Sequence, residues 1–236
     1  MKWIDVLNYK ELSEEAAKII KERINNSPNL TIGLATGSTP IGLYEELIKA
    51  YKHGELSFSG VTSYNLDEYI GIDINSPQSY YQFMFQNLFN HVDIQKEKVH
   101  IPNGNTTDLQ VECAQYEKLI KNSGGIDIQV LGIGNNGHIA FNEPGTSFDA
   151  KTHVVKLDDS TIAANARFFN NKDEVPVQAI TMGIGTIMKS KEILLLISGK
   201  GKQEAIEKLK SGVVTEDFPA SILHKHPNVT VIITNN

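Results

Sequence analysis

Short apolar runs alternate with helical segments along nearly the whole chain, and several of the runs end in a cluster of small polar residues. Leu30–Ala35, Val61–Leu66, Ile126–Leu131, Ala179–Met182, Glu192–Ile197 and Val229–Ile233 read as strands. Between them, Ser13 serves as the cap of a helix over Ser13–Asn26, with Ala16, Ile20 and Ile24 recurring every four residues. Pro40 opens a second helix with Leu43, Leu47 and Tyr51 on one face, ending near Gly54. Ser76-Pro77 starts another, and Thr107 with Gln110 frames a further one that aligns Leu109, Cys113, Tyr116 and Ile120. This alternation predicts an α/β fold: an open, mostly parallel sheet with helices on both faces, Rossmann-like in outline. Its 236 residues carry no repeat, low-complexity tract or linker, so residues 1–236 read as a single domain. Gly145–Pro176, polar and irregular, breaks the pattern and reads as a lid.

The charge balance narrows the partners. A net charge of -6 disfavours broad nucleic-acid binding and obliges any anionic ligand to find a locally built positive site. The longest aliphatic run, Ile193–Ile197, is far short of the ~20 residues of a membrane span, and Met1–Leu12 lacks a charged stretch followed by an apolar one. The single cysteine, Cys113, lies on the core face of its helix and fits a reducing compartment. No nucleic-acid partner, no membrane and a cytoplasmic location are the expectations. His224 and His226 have no Cys or carboxylate at a recognised ligand spacing, so no metal is expected.

In open parallel sheets, ligands bind beyond the carboxyl ends of the strands. Four polar clusters fall at such ends: Thr36-Gly37-Ser38-Thr39-Pro40, Asp67-Glu68, Gly132–Glu143, and Ser198-Gly199-Lys200-Gly201-Lys202. The first makes either a phosphate cradle of helix N–H groups and hydroxyls or a tight turn with an ordinary cap. Lys202 heads a helix, against the helix dipole, a placement that an intervening anion would explain and that a solvated lysine also tolerates. Gly132-Ile133-Gly134-Asn135-Asn136-Gly137 matches the dinucleotide fingerprint, but Pro144 prevents the helix that the fingerprint must open. What remains is a glycine-rich loop holding Asn136, His138 and Glu143, where a carboxylate can fix the tautomer of the histidine and raise its basicity. Asp67 is either a solvated strand end or a base.

Taken together, Gly37-Ser38-Thr39-Pro40, Asn65-Leu66-Asp67-Glu68-Tyr69, Gly132–Pro144, Asn165-Ala166-Arg167-Phe168-Phe169, Gly199-Lys200-Gly201-Lys202 and Ala220-Ser221 resemble the glucosamine-6-phosphate deaminase family. The resemblance runs in order through most of the chain. It implies conversion of glucosamine 6-phosphate and water to fructose 6-phosphate and ammonia without a cofactor. It makes Asp67 the base that removes the C2 proton and His138 the base that opens the pyranose ring, with Glu143 as its partner. Asn136 stands where many members carry aspartate, and an amide can position His138 but cannot stabilise an imidazolium with a full charge. Gly37, Ser38, Thr39, Arg167 and Lys202 match the phosphate site. Two rivals are a 6-phosphogluconolactonase and a sugar-phosphate sensor. Phe141-Asn142-Glu143-Pro144 and Asp67-Glu68-Tyr69 speak against the first. The sensor would need a helix-turn-helix, whereas only about 29 residues with one clear helix precede Leu30. The implied partner is a small sugar phosphate, and the chain is either a monomer or a small homo-oligomer. Ser147–Val155 is poor in fixed positive charge, so an N-acetylated sugar phosphate is not expected to activate it.

Overall fold

The apolar runs are apolar throughout because they are covered on both sides, as central parallel strands must be. A computed structural model, describing residues 1–166, 169, 171 and 174–234, shows a seven-stranded parallel sheet. Its strands are β1 (Lys2–Asp5), β2 (Thr31–Leu34), β3 (Thr62–Asn65), β5 (Val99–His100), β6 (Ile128–Leu131), β9 (Glu192–Ser198) and β10 (Val229–Thr234). They lie in the order β1-β10-β9-β6-β2-β3-β5. One face sends Ile32, Leu34, Ile128, Val130, Leu194, Leu196 and Ile232 against the apolar sides of α1 (Tyr9–Asn26), α2 (Ile41–Lys52) and α3 (Tyr80–Asn87). The other packs Leu131, Ile193, Leu195, Ile197, Val231 and Ile233 with residues of α4 (Leu109–Asn122), α6 (Ile184–Ile187) and α7 (Gln203–Lys210). Cys113 is buried on α4. The result is the single-domain α/β architecture read from the sequence.

Several helix starts move. Helix α1 begins at Tyr9, because the Asn8 side chain accepts from Glu11 N while the Glu11 carboxylate accepts from Leu7 N; Ser13 lies inside the helix and donates back to Tyr9 O. Asp108 rather than Thr107 caps α4, and Ser79 rather than Ser76 caps α3. Each true cap has an acceptor placed on the free N–H groups of the first turn, which the neighbouring Ser or Thr lacks.

The larger correction concerns Ala179–Met182 and Gly145–Pro176. The first forms β8 (Gln178–Thr181), which does not join the parallel sheet but pairs antiparallel with β4 (Asp67–Tyr69) and β7 (His153–Lys156). The second contains β7 and α5 (Asp159–Asn165), so part of it is regular. This three-stranded sheet has its own small core of Tyr69, Ile72, Phe141, Leu157, Ile162, Val175 and Ala179. Among the described residues, no helix is long and apolar enough to cross a membrane.

Candidate functional site

Strands β9, β6, β2 and β3 are consecutive neighbours, so the four polar clusters that follow them stand side by side at one end of the sheet. From β2 the chain builds outward through β3 to β5 on one side and then through β6 and β9 to β10 on the other, where β10 pairs with the first strand, β1. The switch point therefore falls between β2 and β6, flanked by the Gly37 turn and the Gly132–Glu143 loop.

After β3, Leu66 carries the chain across to the small sheet, and Asp67 opens β4. Asp67 is 6% exposed. Burial, and secondarily the neighbouring charge of Glu68, push its carboxyl up to about 8. Glu68 is buried as well, but its carboxylate accepts from the backbone N–H groups of Tyr69, Tyr80 and Tyr81 at 2.9, 3.0 and 2.9 Å, tying β4 to the start of α3. Burial raises its pKa despite those donors. Tyr80 donates to the Tyr69 hydroxyl at 3.2 Å and is hydrogen-bonded to the Thr36 side chain, just ahead of the Gly37 turn. Burial first, then the charge of Tyr69 and of Asp67, keep its phenol protonated.

The Gly37 turn needs its glycine, at φ +91°. The Tyr9 hydroxyl bridges the carbonyls of Ser38 (3.0 Å) and Thr39 (3.1 Å) and accepts from Gly42 N (2.8 Å), fixing the turn to the start of α2. Ser38 is exposed and Thr39 half-buried. Pro40 caps α2.

The glycines of the Gly132–Glu143 loop have a use unrelated to nucleotides. A Cβ on Gly134 would fall 2.3 Å from Cε1 and 2.4 Å from Nδ1 of His138, so the imidazole lies against bare backbone. At Gly137, φ is +88° and a Cβ would meet the Phe218 ring. Gly134 N donates to His138 O at 2.8 Å. Ala140, at φ +51°, is the sole non-glycine residue with positive φ among the described residues, a strained position between His138 and Glu143.

Glu143 gathers the loop. Its Oε2 lies 3.3 Å from His138 Nδ1, an ion-pair contact without hydrogen-bond alignment, and accepts from Asn136 Nδ2 at 2.8 Å. Its Oε1 accepts from Thr161 Oγ1 at 2.6 Å. Burial pushes this carboxyl up, but the proximity and charge of His138 and the donors Thr161 and Asn136 hold it below the usual glutamate value. The Asn136 Oδ1 accepts from His138 N at 3.2 Å, which orients the amide.

Thr181 of β8 connects the two halves: it pairs with Asp67, and its Oγ1 accepts from Phe141 N at 3.0 Å. Met182 N donates to Leu66 O, and Asn142 Nδ2 donates to Met182 O. Lys202 caps α7, as expected, and its Nζ donates to Ile133 O at 2.8 Å, beside the same loop. The structure thus brings Gly37, Ser38, Thr39, Asp67, Asn136, His138, Glu143 and Lys202 to one sheet end; Arg167 lies outside the described residues. Among the described residues, no three His, Cys, Asp or Glu side chains converge as a metal site. Thr161, Tyr80 and Thr181 were missed. Only Thr181 carried a signal, as a polar residue ending an apolar strand.

An open sheet whose switch point is flanked by the Gly37 turn and the Gly132–Glu143 loop, with buried Asp67 and half-buried Glu143 in opposite electrostatic surroundings, defines an α/β domain with acid–base groups at that end. The chain belongs to the family described as glucosamine-6-phosphate isomerases/6-phosphogluconolactonase, whose profile matches residues 8–232. A glucosamine-6-phosphate deaminase of Thermoanaerobacter pseudethanolicus is 57% identical across 99% of this chain and 92% of its own. The deaminase of Shouchella clausii is 59% identical across 98% and 94%. A solved monomeric glucosamine-6-phosphate deaminase superposes with a TM-score of 0.97 at 52% identity, covering 99% of this chain and 97% of that one. The 6-phosphogluconolactonase of Thermotoga maritima, at 21% identity and a TM-score of 0.75 over 98% of this chain and 99% of that one, shares the fold.

Proposed function

We propose that this chain is a cytoplasmic glucosamine-6-phosphate deaminase of amino-sugar catabolism, acting without a cofactor and as a monomer. The observation that carries this reading is the pair of carboxylates, buried Asp67 pushed up and half-buried Glu143 held down, at the switch point of a chain whose relatives bear that name. With Nδ1 turned to Glu143, His138 has Nε2 left to act on the sugar. It takes the proton of the C1 hydroxyl as the C1–O5 bond breaks, and O5 receives a proton, giving the open-chain aldehyde. Only then is the C2 hydrogen acidic. Asp67 removes it, leaving a C1–C2 enol that bears the amine on C2. Protonation at C1 gives a C2 imine, and water converts the imine to the ketone and ammonia. A free aspartate is a weak base at neutral pH, whereas one raised to about 8 has the strength the step needs. The turn Gly37-Ser38-Thr39, Arg167 and Lys202 would hold the phosphate at the far end and so fix C2 against Asp67. The test offers the protein glucosamine 6-phosphate and 6-phosphogluconolactone separately. Ammonia from the first and no acid from the second is expected; the reverse overturns the reading.

A further inference from the structure

Each oxygen of Glu143 is taken up by a donor from a different part of the chain. Asn136 Nδ2 reaches Oε2 from the glycine loop, and Thr161 Oγ1 reaches Oε1 from α5 at 2.6 Å. Thr161 is 5% exposed. A threonine inside a helix ordinarily returns its hydroxyl to the carbonyl three or four residues back. Thr161 gives its hydrogen to Glu143 instead. The amide of Asn136 cannot turn to accept, because its Oδ1 is occupied by His138 N. The side-chain hydrogen bonds that Glu143 accepts thus come from Asn136 and Thr161, with His138 Nδ1 3.3 Å from Oε2, and His138 is the one titratable group among the described residues whose charge acts on it.

We propose that Thr161 is a positioning residue for ring opening: by donating to one oxygen of Glu143, it holds that carboxylate ionised and turned so that the other oxygen faces His138 Nδ1. The imidazole proton of His138 then rests on Nδ1, facing that anion, and Nε2 is left with the lone pair that accepts the proton of the sugar C1 hydroxyl. The inference rests on the deaminase reading and adds to it a residue outside the loop that carries His138.

The experiment isolates ring opening. In an Asp67→Asn background deamination is blocked, while ring opening and closing still interconverts the α and β anomers of glucosamine 6-phosphate, measured by NMR exchange. Adding Thr161→Val, which keeps the shape and removes the donor, is expected to slow enzyme-catalysed anomer exchange about 10- to 100-fold, the worth of one hydrogen bond to a charged group. Thr161→Ser, which keeps the donor, should restore most of it. With Asp67 intact, Thr161→Val should lower kcat with KM nearly unchanged, and the Glu143 carboxyl, followed by NMR titration, should rise, since it loses a donor to its charged form. Anomer exchange unchanged in Thr161→Val, or equally slow in Thr161→Ser, overturns the proposal. Should the valine variant not fold, Thr161→Ala against Thr161→Ser makes the same comparison. Failure of the wild type to release ammonia defeats the deaminase reading itself, and absence of catalysed exchange in Asp67→Asn alone defeats ring opening by His138; both differ from the result that removes Thr161.

Discussion

Asp67 and Glu143 are chemically alike, the first buried and the second half-buried, and their surroundings drive them apart. At the head of β4, burial and the adjacent charge of Glu68, with no hydrogen bond from the described residues lowering it, push the Asp67 carboxyl up to about 8. Glu143 has a hydroxyl, an amide and an imidazole around it, and stays below its ordinary value. The balance between burial and the charged or donating groups around it decides which way each carboxyl moves: three backbone donors do not offset burial at Glu68, whereas half-buried Glu143, with an imidazole beside it, goes down. In the proposed mechanism, one serves as the base that attacks a carbon acid and the other as the anion that orients a histidine. The division of labour in this site is that contrast.

The comparison breaks most sharply at Asp67. Asp67→Asn keeps size and hydrogen bonding but removes the basic lone pair; ammonia release should fall about 10⁴-fold, with substrate still bound and no exchange of the C2 hydrogen into deuterated solvent. Exchange at the wild-type rate would remove Asp67 from the chemistry. His138→Gln should lose about 10²- to 10³-fold, since rings open slowly in water and a little aldehyde always reaches Asp67. A substrate supplied already open should recover much of that deficit. Lys202→Ala should raise KM about 10-fold and lower kcat far less; unphosphorylated glucosamine turned over as well as the phosphate would contradict the anchoring role.

Two smaller effects sharpen the contrast. Asn136→Asp exchanges a donor for a second anion against Glu143, so the Glu143 carboxyl, followed by NMR titration, should rise by about one pH unit, and an unmoved titration would show that Asn136 is not what holds Glu143 down. For Asp67 the sign is opposite. Its folded-state pKa lies above that of the unfolded chain, so its contribution to stability is whole below about pH 4 and is lost as pH rises through about 8. Thermal melts of Asp67→Asn should match the wild type at pH 4 and gain, by of order a few kcal/mol at most, above pH 8. A variant less stable than the wild type at pH 9 would contradict the burial argument.

The central strands were legible because burial on both faces forces runs such as Ile193–Ile197 to be apolar without interruption. Strand β7 was not, because Val154 and Val155 are flanked by polar residues and only half-buried; two apolar positions carry no period. The direction of β8 was equally hidden, since Ala179–Thr181 would look the same in either sheet and its partner β4 is three residues long. The site was legible as loop positions, because each cluster follows a readable strand. Thr161 was beyond reach: nothing in Asp159–Asn165 announces that one hydroxyl leaves its own helix for a carboxylate eighteen residues earlier.

The strut formed by Thr181 has a consequence for how the molecule is made. Asp67 and the His138 loop are joined through a strand that leaves the ribosome long after both of them, and the Lys202 loop follows later still. The loop-closure entropy of that join is met only when the last third of the chain arrives, so a nascent or refolding chain can hold a formed β2–β3 unit while its two carboxylates remain unassembled. Recovery of ammonia release during refolding should therefore lag behind recovery of helical signal, reporting the docking of β8 on β4 rather than the collapse of the sheet.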